Sequence, residues 1–310
     1  MKLLKKITAI ILFVSAFAAC KKDEQEELPE LPKPTVEDIE IGLNNNEIGV
    51  IGRDFHFNAS ILAATKIESV KIIIQPRPGE TYSKSWKHEI SWPEYKDAKN
   101  ADIHKHFDIP DAAEGKYDFL IIVNDQNGTT LEVKRNITIY SAANLPADPK
   151  LSIFNVFTNG TPFYRSGQFV NPGTSIKKSD IINSQVSITN VKGDGKMYML
   201  LIDKRMNHRP ESMAAIDFNK VIVYDVFEHK GWTETQTFSN IIFDLATFTN
   251  IRSWPDLAVG AASDNNAPAP NLINGQKAWA SGNYYFGVIY HNSSYNMTLF
   301  NYIECNIDYN

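Results

Sequence analysis

The chain has 310 residues, of which 43% are hydrophobic and 22% charged, with a formal net charge of −5. That length is enough for two cores, and a mildly acidic chain with no basic stripe excludes nucleic acid as an expected partner. Its only cysteines are Cys20 and Cys305, too few for a disulfide framework, so stability has to come from burial.

At the N-terminus, Lys2, Lys5 and Lys6 precede an apolar run, Ile7 to Ala19, that ends in small residues immediately before Cys20. Such a segment reads as a secretory signal, residues 1–19, too short to stay in a bilayer as a spanning helix. A cysteine at this point resembles a bacterial lipobox, although Phe17 stands where leucine is usual. The resemblance implies cleavage before Cys20 and a lipid on Cys20, which would hold the protein to a membrane without a transmembrane helix. An ordinary cleaved signal is the alternative. Cleavage would leave 291 residues with a net charge of −8.

Residues 20–35 are acidic and then proline-punctuated, a composition that stays extended and reads as a tether. The run "KKDEQEE" resembles the surface-export signals of Bacteroidetes-type lipoproteins. That implies an outer-membrane lipoprotein exposed at the cell surface, the alternative being an acidic spacer that faces the periplasm.

From residue 36 the pattern is β. "DFHFNASILA" places Phe55, Phe57, Ala59 and Ile61 on one face and His56, Asn58 and Ser60 on the other. "ESVKIIIQP" is β-branched and stops at Pro76. "DIHKHFDIP" aligns Ile103, Phe107 and Ile109, interrupted by Lys105, opposite His104, His106 and Asp108. "KYDFLIIVND" is apolar on both faces, as a central strand is; "QNG" turns the chain and "TLEVKRNITIY" returns it. This spacing predicts a sandwich of about seven strands over residues 36–140. "DQNG" superficially resembles the start of a calcium loop, but it lacks the acidic spacing and reads as a turn.

Residues 141–150, with Pro146 and Pro149, form the expected linker. Beyond it "LSIFNVF", "SQVSITNV", "KMYMLLID", "KVIVYDVF" and "NYYFGVIYH" again read as strands, "KGDG" as a hairpin turn and "RPESMAAIDFN" as the best short helix. In the tail, Leu299, Ile303, Cys305 and Ile307 share a face, which makes Cys305 a small buried hydrophobe rather than a nucleophile. The expected fold is all-β: an immunoglobulin-like sandwich, then a second β-rich, sandwich-like domain over residues 151–310.

Function rests on three histidines. Residues two apart on a strand share a face at about 6.5–7 Å, so His104 and His106 can converge on one ion. His56 lies on the polar face of its own strand and meets them if the two strands pair. Neutral imidazoles suit zinc or copper, with Asp108 as a supporting carboxylate or fourth ligand. A polar histidine cluster without a metal is the competing reading. His88, His208, His229 and His291 are expected at the surface, with His88 in an aromatic-rich loop.

The elements G-x-D-F-H and H-x-H-F-D-I-P…G-K-Y-D-F…V-x-D-x-x-G resemble an uncharacterised immunoglobulin-like domain family of Bacteroidetes lipoproteins. The resemblance covers residues 36–140, implies that His56, His104 and His106 belong to the family pattern, and brings no activity with it. No nucleophile elbow, P-loop, zincin motif or C-x-x-C occurs. A non-enzymatic, lipid-anchored envelope binding protein is therefore expected, with a metal ion as its ligand. The alternative is an adhesin or glycan-binding module that uses Trp86, Trp92, Trp232, Trp254 and Trp279, which fall largely in segments read as loops.

Overall fold

A computed structural model describes residues 30–310. The signal segment, Cys20 and most of the tether lie outside that range. Among the described residues the chain is strand and turn, with only short 3-10 turns, so the all-β expectation holds.

The first half builds two facing sheets from eight strands: β1 (Thr35–Ile41), β2 (Ile48–Val50), β3 (Asp54–Leu62), β4 (Ile67–Pro76), β5 (His88–Ser91), β6 (Asn100–Asp108), β7 (Gly115–Asp125) and β8 (Thr130–Tyr140). One sheet has the order β1-β3-β6 and the other β2-β8-β7-β4-β5, an immunoglobulin-like arrangement in which β2 runs parallel to β8 along an edge. The predicted alternation is the reason. Phe55, Phe57, Ala59 and Ile61 point from β3 into the sandwich, where they meet Ile72 and Ile74 of β4 and Phe119, Ile121 and Val123 of β7. Phe57 stacks on Trp92 with ring centroids 5.6 Å apart. Lys105, which interrupts the apolar face of β6, sits on this outer strand and snorkels out to Glu94, 2.6 Å away, with its ammonium over Tyr95.

Ser141–Pro149 then leads to a second body. Its strands are β9 (Lys150–Thr158), β10 (Thr161–Arg165), β11 (Gln168–Phe169), β12 (Ser175–Lys177), β13 (Ile181–Asp203), β14 (Ile222–Ser239), β15 (Ile242–Asp244), β16 (Thr249–Arg252), β17 (Leu257–Ala258), β18 (Gly282–Asn292) and β19 (Met297–Asp308). Nine of them form one curled sheet around β13, which pairs with β9 and β17 along its first part, with β18 along its last, and with β14 along most of its length.

Two expectations fail here. "KGDG" is no hairpin turn: Lys192–Gly195 lies inside the 23-residue β13, where the pairing with β14 slips register on both sides of Gly193. Gly193 takes φ +75°, and a Cβ on Gly195 would stand 2.4 Å from the Tyr290 hydroxyl and 2.5 Å from His229 Nε2. The glycines therefore bend a continuous strand and admit close neighbours rather than reversing it. "RPESMAAIDFN" forms bends and turns instead of a helix, within the connection between β13 and β14. Met213 and Ile216 of that connection pack on Leu200, Ile202 and Ile289, which emerge on the outer face of the sheet, while Met197, Met199 and Leu201 fill the main core. Burial against a sheet, rather than helical periodicity, places these residues.

Candidate metal centre

β3 and β6 pair antiparallel, with His56 opposite His106 and Asn58 opposite His104. One histidine is thus a direct cross-strand partner and the other its diagonal neighbour, positions close enough for side chains to meet. The three rings form a nearly equilateral triangle, with centroids 5.0 Å (His56–His104), 5.0 Å (His56–His106) and 5.2 Å (His104–His106) apart. His56 is buried, whereas His104 and His106 are exposed along the face of β6.

The ring nitrogens divide into near and far. Nδ1 of His56 faces Nε2 of His106 at 3.4 Å. On the far side His106 Nδ1 lies 2.6 Å from the Asp54 carboxylate, and His56 Nε2 lies 3.3 Å from Glu40 and 2.9 Å from the Asn58 amide. The hydrogen bond with His56 is the chief reason that Glu40 is held below the ordinary carboxylate range, against burial and with help from the Asn44 N–H and the Asn58 amide. With protons on the two far nitrogens, the near nitrogens present lone pairs to one another, an arrangement that a cation between them would stabilise. With the proton on His56 Nδ1 instead, the Asn58 amide donates to Nε2 and the same contact is a hydrogen bond to His106 Nε2. Nitrogens bound about 2.0–2.1 Å from a tetrahedral zinc ion sit about 3.3 Å apart, close to the spacing found here. A carboxylate behind each ligating imidazole is the usual way to fix its tautomer.

A fourth group completes the set. Glu211, from the connection between β13 and β14, joins His56, His104 and His106 so that one ligand atom from each lies within 4.8 Å of the others. The four residues border a cavity of about 410 Å³, or lie beside it, between the two halves of the molecule. Asn58 also lines it, and its Oδ1 is buried with no hydrogen-bond partner among the described residues.

The sequence-derived set is thus divided. His56, His104 and His106 come together. Asp108 is exposed on the same face of β6 but lies outside the converging group, because its cross-strand partner is Asp54, one step beyond the His56–His106 pair. Asp54 takes the supporting place behind His106, and Glu211 stands where a fourth ligand was sought. No local signal marks Glu211; it reaches the site only through the tertiary path of its loop. Cys20 lies outside the described residues.

The remaining histidines and the tryptophans are mostly accounted for by packing. His229 is buried within β14, not at the surface, with Nε2 2.8 Å from the Tyr290 hydroxyl and Nδ1 3.1 Å from the Gly193 carbonyl. His88 begins β5 and stacks on Trp86. His208 accepts the Asp217 N–H at 3.1 Å. Trp92 is buried and the other four tryptophans are half-buried.

Fold and geometry together define an all-β protein of two halves with a histidine and glutamate cluster that could hold a metal. Residues 18–140 match the family model of a domain of unknown function, DUF4625. No curated protein matches the chain. Among solved structures it is similar to dimeric latent PorU from Porphyromonas gingivalis, at 12% identity and a TM-score of 0.28, over 92% of this chain and 21% of that one. It is also similar to a structure described as carbohydrate-binding modules of the β-sandwich superfamily, at 11% identity and a TM-score of 0.25, over 68% of this chain and 85% of that one. The chain spans about a fifth of the PorU chain, and neither likeness bears on function.

Proposed function

We propose that this chain is a lipid-anchored cell-envelope protein that binds a transition metal ion, zinc or copper, through His56, His104 and His106, and that its role is binding rather than catalysis. The observation that carries the reading is the 3.4 Å approach of His56 Nδ1 to His106 Nε2, with Glu40 and Asp54 behind the opposite nitrogens. Three neutral imidazoles favour zinc or copper over calcium or magnesium, which prefer oxygen ligands. The ion would supply a fixed positive charge beside the cavity.

The anchoring part of the proposal rests on the sequence of residues 1–35: the signal-like segment, Cys20 and the acidic tether. No described helix is long and apolar enough to cross a membrane. Outer-membrane attachment with the protein facing outwards is the preferred arrangement, and a periplasm-facing anchor the alternative. Mass spectrometry of membrane-extracted protein should find acyl chains on an N-terminal Cys20, and Cys20→Ala should release the protein from the membrane fraction.

The metal reading is tested by zinc and copper titration of the mature protein in competition with a chromophoric chelator. Wild type should bind one ion, and the His104→Ala/His106→Ala double variant should lose at least ~100-fold in affinity. Equal binding by the two proteins removes the proposal. A glycan-binding role has less support, because the tryptophans that would stack on sugar rings are packed against protein.

A further inference from the structure

We propose that Glu211 is the fourth ligand of this centre and that an ion held there ties the two halves of the molecule together. The inference rests on the three-histidine reading above and adds to it a ligand from a different part of the chain. His56 and His104 stand on β3 and β6 of the sandwich, whereas Glu211 belongs to the loop that follows β13. No segment of either half contains the complete set.

The loop offers Glu211 from a fixed position. The Tyr302 hydroxyl donates to the Pro210 carbonyl at 2.5 Å, and His208 accepts the Asp217 N–H. Met213 and Ile216 are packed against the outer face of the curled sheet. Beside Glu211, Arg209 lies over the Tyr302 ring, and its guanidinium approaches the Glu211 carboxylate only to 3.9 Å. That loose, half-exposed contact is easily exchanged for a metal. Bringing ligand atoms from 4.8 Å to the roughly 3.3 Å spacing of a tetrahedral zinc site needs rotation of a glutamate side chain, not movement of a strand.

Apart from an ion, the hydrogen bonds across the described seam are few, and the cleft beside them is lined by apolar groups of both halves, Leu43, Ile48 and Val50 facing Met297 and Phe300. Asn44 Nδ2 donates to Asn296 Oδ1 at 3.1 Å, Asn296 returns to the Asn45 carbonyl at 3.4 Å, and Arg53 grips Asp148 of the linker at 2.7 and 2.9 Å. The apolar cores of the two halves share no residue. An interface of this kind permits relative movement of its partners by default. A metal with ligands on both sides binds the docked arrangement more tightly than the undocked one, so by linkage that difference in binding free energy also holds the halves together.

The test uses the full mature chain with zinc alone as the probe. Affinity is measured by chelator competition. Docking is read from the rate of proteolytic cleavage within Ser141–Lys150 and from the radius of gyration in solution scattering. Zinc should slow linker cleavage of wild type several-fold and narrow its size distribution. Glu211→Gln, which keeps the shape of the side chain and removes its charge, should bind zinc at least ~10-fold more weakly through the histidines, without protecting the linker. If Glu211→Gln matches wild type in affinity and protection, or if wild type binds zinc and its linker is cleaved as fast as before, this inference is wrong while the three-histidine site stands. If wild type binds no zinc, this inference falls before any docking measurement is made, and the copper titration decides whether the three-histidine reading falls with it.

Discussion

The two halves are both built from strands, but they handle polar groups in opposite ways. Among the described residues, the sandwich buries three polar or charged side chains, His56, Asp118 and Asp125, and the curled sheet buries ten. In the curled sheet they are interior networks with partners on every side. Asp225 receives the Arg252 guanidinium at 2.6 and 3.2 Å, and Asn240 spans Asp225, the Ser184 carbonyl and the Val186 N–H. In the sandwich the core is aromatic and aliphatic, and polarity gathers on one face of β3 and β6. Three histidines show the consequence. His229 has both ring nitrogens satisfied within the protein and serves as core, whereas His56 and His106 have carboxylates on one side and each other on the other. What sets the candidate cluster apart from His229 is the kind of partner its nitrogens have, carboxylates and a second imidazole rather than a carbonyl and a hydroxyl, not whether the ring is buried.

The sharpest way to break this comparison is to remove one member of each kind of core. Arg252→Ala leaves the Asp225 carboxylate buried without its counter-charge and should cost about 3–5 kcal/mol. Phe57→Ala empties a fully buried ring site between Trp92 and Phe119 and should cost about 3–5 kcal/mol as well. Because the cores share no residue, each variant should shift only one of two unfolding transitions in guanidinium, followed by tryptophan fluorescence and circular dichroism. Zinc binding should be lost in Phe57→Ala near its lowered midpoint, whereas Arg252→Ala near its own midpoint should keep the weaker binding that the histidines alone provide. A single merged shift in both variants would mean that the halves unfold as one unit.

A smaller effect is expected at the bend of β13. Gly195→Ala brings a methyl group against Tyr290 and His229, and should cost about 1–3 kcal/mol, confined to the curled sheet. His229→Phe would not relieve the clash with the Tyr290 hydroxyl. Thermal unfolding of the single and double variants separates steric overlap from loss of the His229 hydrogen bonds.

How far the site could be read from sequence follows from the same contrast. Period-2 alternation over "DFHFNASILA" and "DIHKHFDIP" places His56 on one polar face and His104 with His106 on another, and pairing of those strands needs only their common apolar faces. That information is local. Glu211 was hidden because its loop has no period of its own; the sheet beneath holds it, and the helix-like spacing of "RPESMAAIDFN" misled. "KGDG" misled in the same way, since a glycine pair signals a turn equally well when it serves a bulge. Asp108 was the reasonable local choice for a carboxylate, and it is displaced by one step of register.

Acid should act on the sandwich through Asp125, which joins two turns. Burial pushes its carboxyl up, but bonds from the Thr65 hydroxyl and N–H and from the Asn127 N–H more than offset this and carry the pKa down to about 2. A pKa lowered on folding stabilises the native state above the unfolded value of about 3.9, and that stability fades as pH falls from about 4 towards about 2. Asp125→Asn should make the melting temperature of the sandwich less dependent on pH in that window, without changing the slope of the curled sheet. The acid-lowered Glu40 and Glu114 leave part of the sandwich slope in place.

The smallest expected effect is at the seam, and there the comparison can be sharpened most. Arg53 and Asp148 make a two-pronged contact between the sandwich and the linker, and this pair, with Lys150, holds Asp148 below the ordinary carboxylate range. The Arg53 side chain is 36% exposed, so water and salt screen the pair. A double-mutant cycle with Arg53→Ala and Asp148→Ala should give a coupling of about 0.2–1 kcal/mol, falling with added sodium chloride. A coupling that small leaves the relative placement of the halves to the Asn44–Asn296 contact, the cleft beside it and whatever ion binds both sides. Measured again in zinc, the coupling should rise, because the ion holds Arg53 and Asp148 in register and lowers the entropy lost when they pair. A coupling above ~2 kcal/mol without metal would instead make the seam a rigid joint in its own right, and Glu211 would face the histidines whether or not an ion were bound.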